Sequence, residues 1–311
     1  MRRFLVLSTA LLSSFTILGT GVASASPPVC TGGVSQQTLF ADQGSLESVI
    51  VGGGGSLYVS GTDLDGTGSA IFSYTKKGPK QDRISPAGDG PGGLAWDGRR
   101  LLWGSGNTSA NGLAGDLVPQ AGLYRVNLKN GKRSVVSDHL GMGNGIARAK
   151  DGTIYASNSF GQTLDRISPQ GKTRNGWATV PFGNGLTIGR NGRYLYAAQT
   201  LVTPSTIAKI DTRDPSKVFT YYTSPEPANV LFDGLARDNK NNLYVAILGR
   251  GEVWKVTPDK QACVLASGLT QTTAVTISTA KRGYRAGNLY AVGFDGKIVQ
   301  VKGAVDAKVP S

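Results

Sequence analysis

Four oxygen-bearing side chains stand at the openings of similar short segments of the chain. They are Glu47 in LESVIV, Asn144 in GNGIARAK, Asn184 in FGNGLTIG and Asp233 in FDGLARD. Carboxylate and amide oxygens without cysteine or histidine suit a hard divalent cation, and their mixture favours Ca²⁺. Two carboxylates would also neutralise the charge of one such ion. The residue types therefore predict a calcium site, with another divalent cation as the alternative.

For these residues to meet, the segments that carry them must surround a common centre. The sequence around Asp233, LFDGLARDNKNNLYVAILGRGEVWKVTP, contains three short apolar runs separated by the polar stretches DNKNN and GRG. This pattern is typical of antiparallel strands joined by tight turns. Looser versions of the unit recur along the chain: five contain four strand-like runs, and the sixth, from Thr273, contains three. Repeats of roughly 40 to 50 residues are typical of propellers.

The short sixth unit predicts how the ring closes. Gln36–Phe40 (QQTLF) is a spare strand that would complete that unit and protect the sheet edges. The predicted fold is all-β: one six-bladed β-propeller of four-stranded antiparallel blades over residues 26–311, with the N-terminal strand closing the last blade. Cys30 precedes the spare strand and Cys263 lies in the outer strand of the fifth unit, so a disulfide between them would pin the closing segment.

Taken alone, each opening residue has a simpler explanation. Asn-Gly and Asp-Gly are common turn dipeptides, and a single glutamate is usually solvated. In a propeller, however, the first strand of each blade begins beside the central channel at one face, so these residues converge there. Their recurrence at the same phase of successive units favours a function.

His139, the single histidine, precedes Asn144 in what we expect to be a loop on the same face. It is a candidate general base, because histidine titrates near neutral pH. The alternative, which we favour, is a loop histidine hydrogen-bonded to the backbone.

Composition and the N-terminal segment predict where the protein works. Arg2 and Arg3 precede an apolar run that ends in Ala23-Ser24-Ala25, which predicts a signal peptide over residues 1–25; a retained membrane anchor is the alternative. The formal charge is +13, but basic residues are scattered singly, which argues against a nucleic-acid partner. We expect a secreted monomer without stable membrane insertion that acts on a small molecule.

Four segments together resemble the gluconolactonase/regucalcin family of six-bladed propellers, which is related in plan to paraoxonase and diisopropyl-fluorophosphatase. They are LESVIV, GNGIARAKDGTIYAS, FGNGLTIGRNGRYLYAAQ and FDGLARDNKNNLYVA. The resemblance implies that Glu47, Asn144, Asn184 and Asp233 hold the catalytic divalent metal. Family members commonly place an arginine shortly before the first asparagine to hold a polyhydroxy substrate, whereas this chain has Gly141-Met142-Gly143. This departure favours a substrate less polar than a sugar-acid lactone.

The leading hypothesis is a secreted calcium-dependent hydrolase that opens a lactone or related ester, with Asp233 as base or nucleophile. One alternative is a non-hydrolytic enzyme similar to strictosidine synthase, and another is a propeller that binds ligands without chemistry. Two loops would shape the pocket: residues 107–120, and residues 61–69 with Asp63 and Asp65, which weakly suggest a second calcium loop.

Overall fold

The computed structural model describes residues 26–62, 68–75, 81–85 and 90–310, with the backbone alone for 81–85. The predicted signal peptide, residues 1–25, lies outside the described residues, as do Asp63 and Asp65. In the part of the chain that is described, the strands form six four-stranded antiparallel sheets. The predicted six-bladed β-propeller is therefore confirmed.

Each blade takes four strands, numbered from the channel outward. Blade one comprises β2 (Leu46–Val51), β3 (Leu57–Thr62), β4 (Ser69–Tyr74) and β5 (Gln81–Ser85). Blade two comprises β6 (Pro91–Asp97), β7 (Arg100–Ser105), β8 (Ala121–Val126) and β9 (Arg133–Leu140). Blade three comprises β10 (Ile146–Arg148), β11 (Ile154–Ser157), β12 (Thr163–Ile167) and β13 (Thr173–Thr179).

The second half of the ring repeats this order. Blade four comprises β14 (Gly183–Ile188), β15 (Tyr194–Gln199), β16 (Thr206–Asp211) and β17 (Asp214–Thr223). Blade five comprises β18 (Phe232–Arg237), β19 (Leu243–Ile247), β20 (Glu252–Val256) and β21 (Ala262–Ala266). Blade six comprises β22 (Thr272–Ile277), β23 (Leu289–Gly293), β24 (Ile298–Lys302) and, from the start of the described chain, β1 (Ser35–Phe40).

The core lies between neighbouring blades rather than at the centre of the ring. Apolar side chains project from the sheet faces and pack against the next blade, as in other layered β structures. The cluster between blades four and five contains Phe232, Leu243 and Trp254, all fully buried. Trp103 and Leu101 are likewise fully buried between blades one and two. The inner strands are thus held from both sides, which gives the channel rigid walls.

The ring closes as the sequence predicts. Strand β1 pairs antiparallel with β24, in a register that runs from Ser35 opposite Lys302 to Phe40 opposite Ile298. Cys30 and Cys263 form a disulfide with an S–S distance of 2.03 Å. The predicted pairing of these cysteines is therefore confirmed, and it ties the segment before β1 to blade five.

The loop after β7 contains a short helix, α1 (Ser109–Ala114), which the sequence analysis treated as loop. The helix begins after Thr108, whose side chain accepts a hydrogen bond from the Asn111 amide at 3.2 Å. Within the described ranges, no helix has the length and apolar character needed to cross a membrane.

Candidate metal centre and mouth cavity

The openings of the six blades line a common channel of about 380 Å³ at the centre of the ring. The opening positions are Glu47, Gly93, Asn144, Asn184, Asp233 and Thr273. Glu47, Asn144, Asn184 and Asp233, which we call the four site residues, are each between 5% and 9% exposed. The structure therefore brings together the four residues that the sequence analysis selected.

A one-residue β-bulge gives a physical reason why Glu47, Asn184 and Asp233 turn toward the channel. In blade one, Leu46 pairs with Gly61 and Ser48 pairs with Ser60, so Glu47 is the extra residue. Similar register shifts occur at the openings of blades two, four, five and six. Bulges re-aim a side chain and are over-represented next to active sites. Five of the six openings therefore share this backbone irregularity, whereas Asn144 precedes β10, whose pairing with β11 is regular.

The glycine after an opening residue allows the first strands of neighbouring blades to approach closely. A Cβ atom at Gly145 would lie 2.1 Å from the carbonyl oxygen of Asn184, and one at Gly185 would lie 2.3 Å from the amide nitrogen of Leu235. No side chain fits at such distances. Neither glycine has a positive φ. The Asn-Gly pairs at these openings therefore serve strand packing, and the turn explanation does not apply to them.

Hydroxyl groups of one blade hold the opening of the next. The bonds are Ser157 Oγ to the Asn184 carbonyl (2.6 Å), Thr200 Oγ1 to the Phe232 carbonyl (2.8 Å) and Thr273 Oγ1 to the Leu46 carbonyl (2.9 Å). Each accepting carbonyl belongs to a site residue or to the residue before one. The spacing of the site residues is thus fixed between blades as well as within them.

A second cavity, of about 430 Å³, is also lined by all four site residues. We call it the mouth cavity. It is bounded further by residues that end or follow the second strand of each blade, namely Thr62, Asn107, Ser159, Thr200, Leu248 and Phe294. The four site residues therefore lie where the mouth cavity and the central channel meet.

Asn107 joins two of the site residues, and the sequence analysis missed it. Its Nδ2 donates to Glu47 Oε1 (2.9 Å) and to the Pro91 carbonyl (2.8 Å). Its Oδ1 accepts from Asn144 Nδ2 (3.2 Å). Because both amide hydrogens of Asn107 and one acceptor position of its oxygen are engaged, Asn107 fixes the orientation of both partners.

Ser159 and Thr200 orient the two site asparagines and were also missed. Ser159 Oγ accepts from Asn144 Nδ2 (3.1 Å), and Thr200 Oγ1 accepts from Asn184 Nδ2 (2.9 Å). A side-chain amide has two donors on nitrogen and one acceptor oxygen, so these bonds leave the oxygen free to face a cation. Both residues follow the second strand of their unit, a position that repeats along the sequence as the first-strand openings do.

Glu47 and Asp233 are buried carboxyl groups that form no ion pair with a lysine, arginine or histidine of the described chain. Burial raises the pKa of Glu47 from 4.5 to about 7, against the opposing hydrogen bond from Asn107. Burial, and then the charge of Glu47, raise the pKa of Asp233 well above 3.8, while a hydrogen bond with Asn184 lowers it. Two like charges in one buried site are unfavourable without a neutralising group.

This donor set fits a hard divalent cation. No group of three or more His, Cys, Asp or Glu side chains occurs in the described ranges, so a site here would need the amide oxygens. Two carboxylates and two amides supply four oxygen donors, and Ca²⁺ takes six to eight, with water completing the shell. The residues present therefore fit calcium in both charge and ligand type.

His139 lines neither cavity, and its expected position in a loop is wrong. It lies in outer strand β9, which continues through Leu140, and its side chain is 72% exposed. Its Nε2 lies 3.3 Å from Asp138 Oδ1, and its carbonyl accepts from Asn175 Nδ2 at 2.7 Å. A general base must reach the substrate, so this placement does not support a catalytic role.

The fold and the channel-end site define the class of protein: a six-bladed propeller with a polar centre at the mouth of its channel. Residues 157–284 match a family model described as the SMP-30/Gluconolactonase/LRE-like region. This stretch includes Asn184 and Asp233. Together with the fold, the match confirms the resemblance to the gluconolactonase/regucalcin family. A sequence search of curated proteins found no match.

Solved structures show the same fold at low sequence identity. A gluconolactonase from Xanthomonas campestris is 19% identical with a TM-score of 0.70, covering 91% of this chain and 97% of its own. A putative gluconolactonase is 15% identical with a TM-score of 0.67, covering 90% and 96%. Virginiamycin B lyase from Staphylococcus aureus is 13% identical with a TM-score of 0.59, covering 87% and 99%. At these identities the likeness extends to the fold alone.

Proposed function

We propose that the protein is a calcium-dependent hydrolase that opens a lactone or a related ester. The observation that carries this proposal is the pair of buried carboxyl groups, Glu47 and Asp233, without a cationic partner in the described chain. They stand beside two oriented asparagines where a cavity of small-molecule size meets the channel. A structural role alone would not require uncompensated charges at the centre of the ring.

The site residues would divide the chemistry as follows. Glu47, Asn144, Asn184 and Asp233 would hold the ion, which supplies Lewis-acid polarisation of the scissile carbonyl. Asp233 also lines the mouth cavity, where its carboxylate would accept a proton from the water that attacks the carbonyl carbon. The same proton would then pass to the departing alkoxide oxygen, so that acid and alcohol form. Asn184 hydrogen-bonds Asp233 and is itself held by Thr200.

A lyase is the second activity found among proteins of similar fold. A variant of the Staphylococcus aureus lyase with a histidine replaced by alanine is described as catalytically inactive. The single histidine of this chain is exposed on an outer strand and lines neither cavity. The mouth cavity therefore offers carboxylate chemistry, which suits the hydrolase better.

We also infer that the protein is secreted and works as a monomer on a small molecule, without nucleic acid. The Cys30–Cys263 disulfide supports secretion, because such bonds persist mainly in oxidising compartments. Detection of the mature chain in the culture medium, beginning at Ser26, would test this point. Light scattering of the purified chain would test the monomeric state.

A substrate screen tests the proposed activity. The purified protein is offered lactones, aryl esters and phosphotriesters with calcium and again with excess chelator. We expect lactones or esters to be hydrolysed with calcium and the rate to collapse after chelation. Hydrolysis that persists in the chelator would refute the metal-dependent mechanism. Ligand binding without turnover of any compound would favour the non-catalytic propeller.

A further inference from the structure

The rim of the mouth cavity is divided into two chemically different arcs. Blades one and two contribute the polar arc, which consists of Ser45, Thr62, Asn107 and Ser109; Pro91 of blade two and Met142, in the loop after β9, also line the cavity. Blades three to six contribute the apolar arc, which consists of Phe160, Leu201, Leu231, Leu248 and Phe294. A cavity built only to hold an ion and a polar substrate has no need of five apolar side chains on one side.

Two residues of the apolar arc are exposed and the other three are half-buried. Leu201 is 42% exposed and Phe294 is 40% exposed, although they are 93 residues apart in sequence and on different blades. Most large apolar side chains of the described chain are buried between the blades. Exposed apolar side chains that meet at a cavity mark a binding surface more often than scattered ones do.

Leu231 extends the apolar arc at the entry of blade five. It adopts a left-handed backbone conformation with φ of 58°, where glycine or asparagine would be less strained. The Asn229 side chain accepts its amide proton at 2.7 Å, and its carbonyl accepts from the Leu248 amide at 3.0 Å. The surrounding bonds therefore hold a leucine in an unfavourable conformation two residues before Asp233, at the cavity wall. Phe182 and Gln271 adopt the same conformation two residues before Asn184 and Thr273, so it belongs to the repeated entry into the blades, and in blade five it places Leu231 at the cavity wall.

The polar arc differs because the side chains of Asn107 and Thr62 are already hydrogen-bonded within the protein. Asn107 is engaged with Glu47, Pro91 and Asn144, and Thr62 Oγ1 accepts from the Ser45 amide at 3.1 Å. This side of the cavity therefore orients the ion site, whereas the opposite side is left to contact the substrate.

We propose that the substrate carries an aliphatic or aromatic substituent of several carbons, which lies on the apolar arc while its carbonyl faces the four site residues. This inference rests on the proposed function and names its substrate class. Leu201 adjoins Thr200, the partner of Asn184, and Leu231 lies close to Asp233 in sequence. The substituent therefore extends from the reacting carbon over blades four to six. A compact polyhydroxy lactone would leave this surface uncovered.

Binding of alkyl γ-lactams tests the proposal without requiring turnover, because the amide ring resists hydrolysis. The full-length protein is titrated calorimetrically, in the presence of calcium, with γ-lactams that carry progressively longer unbranched alkyl groups. Each titration gives the dissociation constant of one lactam. We expect the dissociation constant to fall about threefold per added methylene until the arc is covered. In the double variant Leu201→Ser and Phe294→Ser, the dissociation constant should fall less than about twofold per added methylene. Phe294→Leu should retain most of it.

Val135→Ser combined with Phe219→Ser is the matched control, because these side chains are 60% and 52% exposed on outer strands β9 and β17. The control should keep the wild-type dependence on chain length. Affinity that does not grow with the length of the alkyl group, or an equal effect of the two double variants, overturns the proposal.

Hydrolysis of lactones with the same alkyl groups is measured in parallel. Binding that strengthens with the length of the ligand's alkyl group, without turnover, refutes the proposed hydrolase but supports the role of the apolar arc. Turnover that does not depend on the length of the alkyl group supports the hydrolase and refutes the role of the apolar arc.

Discussion

Acidic side chains at the two ends of the innermost strands differ in whether they have a basic partner. Asp97 ends β6, and its side chain is 11% exposed. Its oxygens lie 2.6 Å from Arg125 Nε and 2.8 Å from Arg148 Nε, and Arg148 ends β10. At the openings of neighbouring strands, Glu47 and Asp233 are as deeply buried and have no basic partner in the described chain. The comparison supports the proposal that Glu47 and Asp233 hold a cation, because the acid at the opposite end of the strands is neutralised by two arginines.

The largest effect is expected for Asp233→Asn, which removes the negative charge while keeping an oxygen donor. Calcium should bind more weakly but still bind, because the amide remains a ligand. At saturating calcium, turnover should fall by about 10² to 10⁴, because an amide cannot accept the proton. Folding should be intact, since the substitution relieves repulsion with Glu47. Steady-state kinetics and calcium titration measure both effects. Near wild-type turnover would show that Asp233 is at most a ligand.

The second prediction concerns the pH dependence of stability in chelator. The pKa of Glu47 is raised in the folded state from 4.5 to about 7, so the folded protein holds a proton that the unfolded chain releases. Stability is therefore greatest below pH 4.5 with respect to this group, and it is lost as the pH rises through about 7. The loss is about 3 kcal/mol of unfolding free energy.

Denaturant unfolding at several pH values measures this loss, and Glu47→Gln is the control that should flatten the profile. The raised pKa of Asp233 acts in the same direction. Saturating calcium should largely remove the dependence, because a bound cation favours both carboxylates. A profile in chelator that Glu47→Gln does not change would place the titration elsewhere.

The third prediction sharpens the role of the orienting groups. Asn107→Ala removes the bonds to Glu47, Asn144 and Pro91. Calcium affinity should fall about 10- to 100-fold, as for other residues that orient metal ligands. Asn111→Ala in the same loop is the control, because its side chain donates a hydrogen bond to the Gly106 carbonyl (3.0 Å) and lines neither cavity. Calcium titration of both variants compares them, and equal affinities would deny Asn107 an orienting role.

The smallest effect is expected at the opposite ends of the strands. Asp97→Asn leaves Arg125 and Arg148 without their shared acid, so unfolding free energy should fall by about 1 to 2 kcal/mol. Calcium affinity should be unchanged. Thermal unfolding and calcium titration together check the variant. A large loss of calcium affinity would contradict the separation between the two ends.

Much of the fold could be predicted from sequence because each strand is short, apolar and bounded by turn residues. The unit around Asp233 gave β18, β19 and β20, and the spare run Gln36–Phe40 gave nearly all of β1. The helix α1 was missed because six residues with two polar positions carry too little periodicity.

The site could be predicted only in part. The opening residues occupy the same position in successive repeat units, so they can be recognised in the sequence of this chain alone. Asn107 was missed because a loop residue reaches Glu47 only through the course of the backbone after β7. The bulge at Glu47 depends on pairing with β3, which the residues of β2 alone do not specify. His139 was misplaced because the end of an outer strand is weakly marked in sequence.

The hydrogen bonds between blades make the geometry of the site depend on closure of the ring. Thr273 of blade six fixes the carbonyl of Leu46, directly before Glu47, and blade six depends on β1 for its fourth strand. If β1 were displaced, all four site residues would remain in the chain, yet the frame that spaces Glu47 from Asp233 would be lost. On the proposed calcium site, affinity for the ion would therefore depend on closure of the ring by β1.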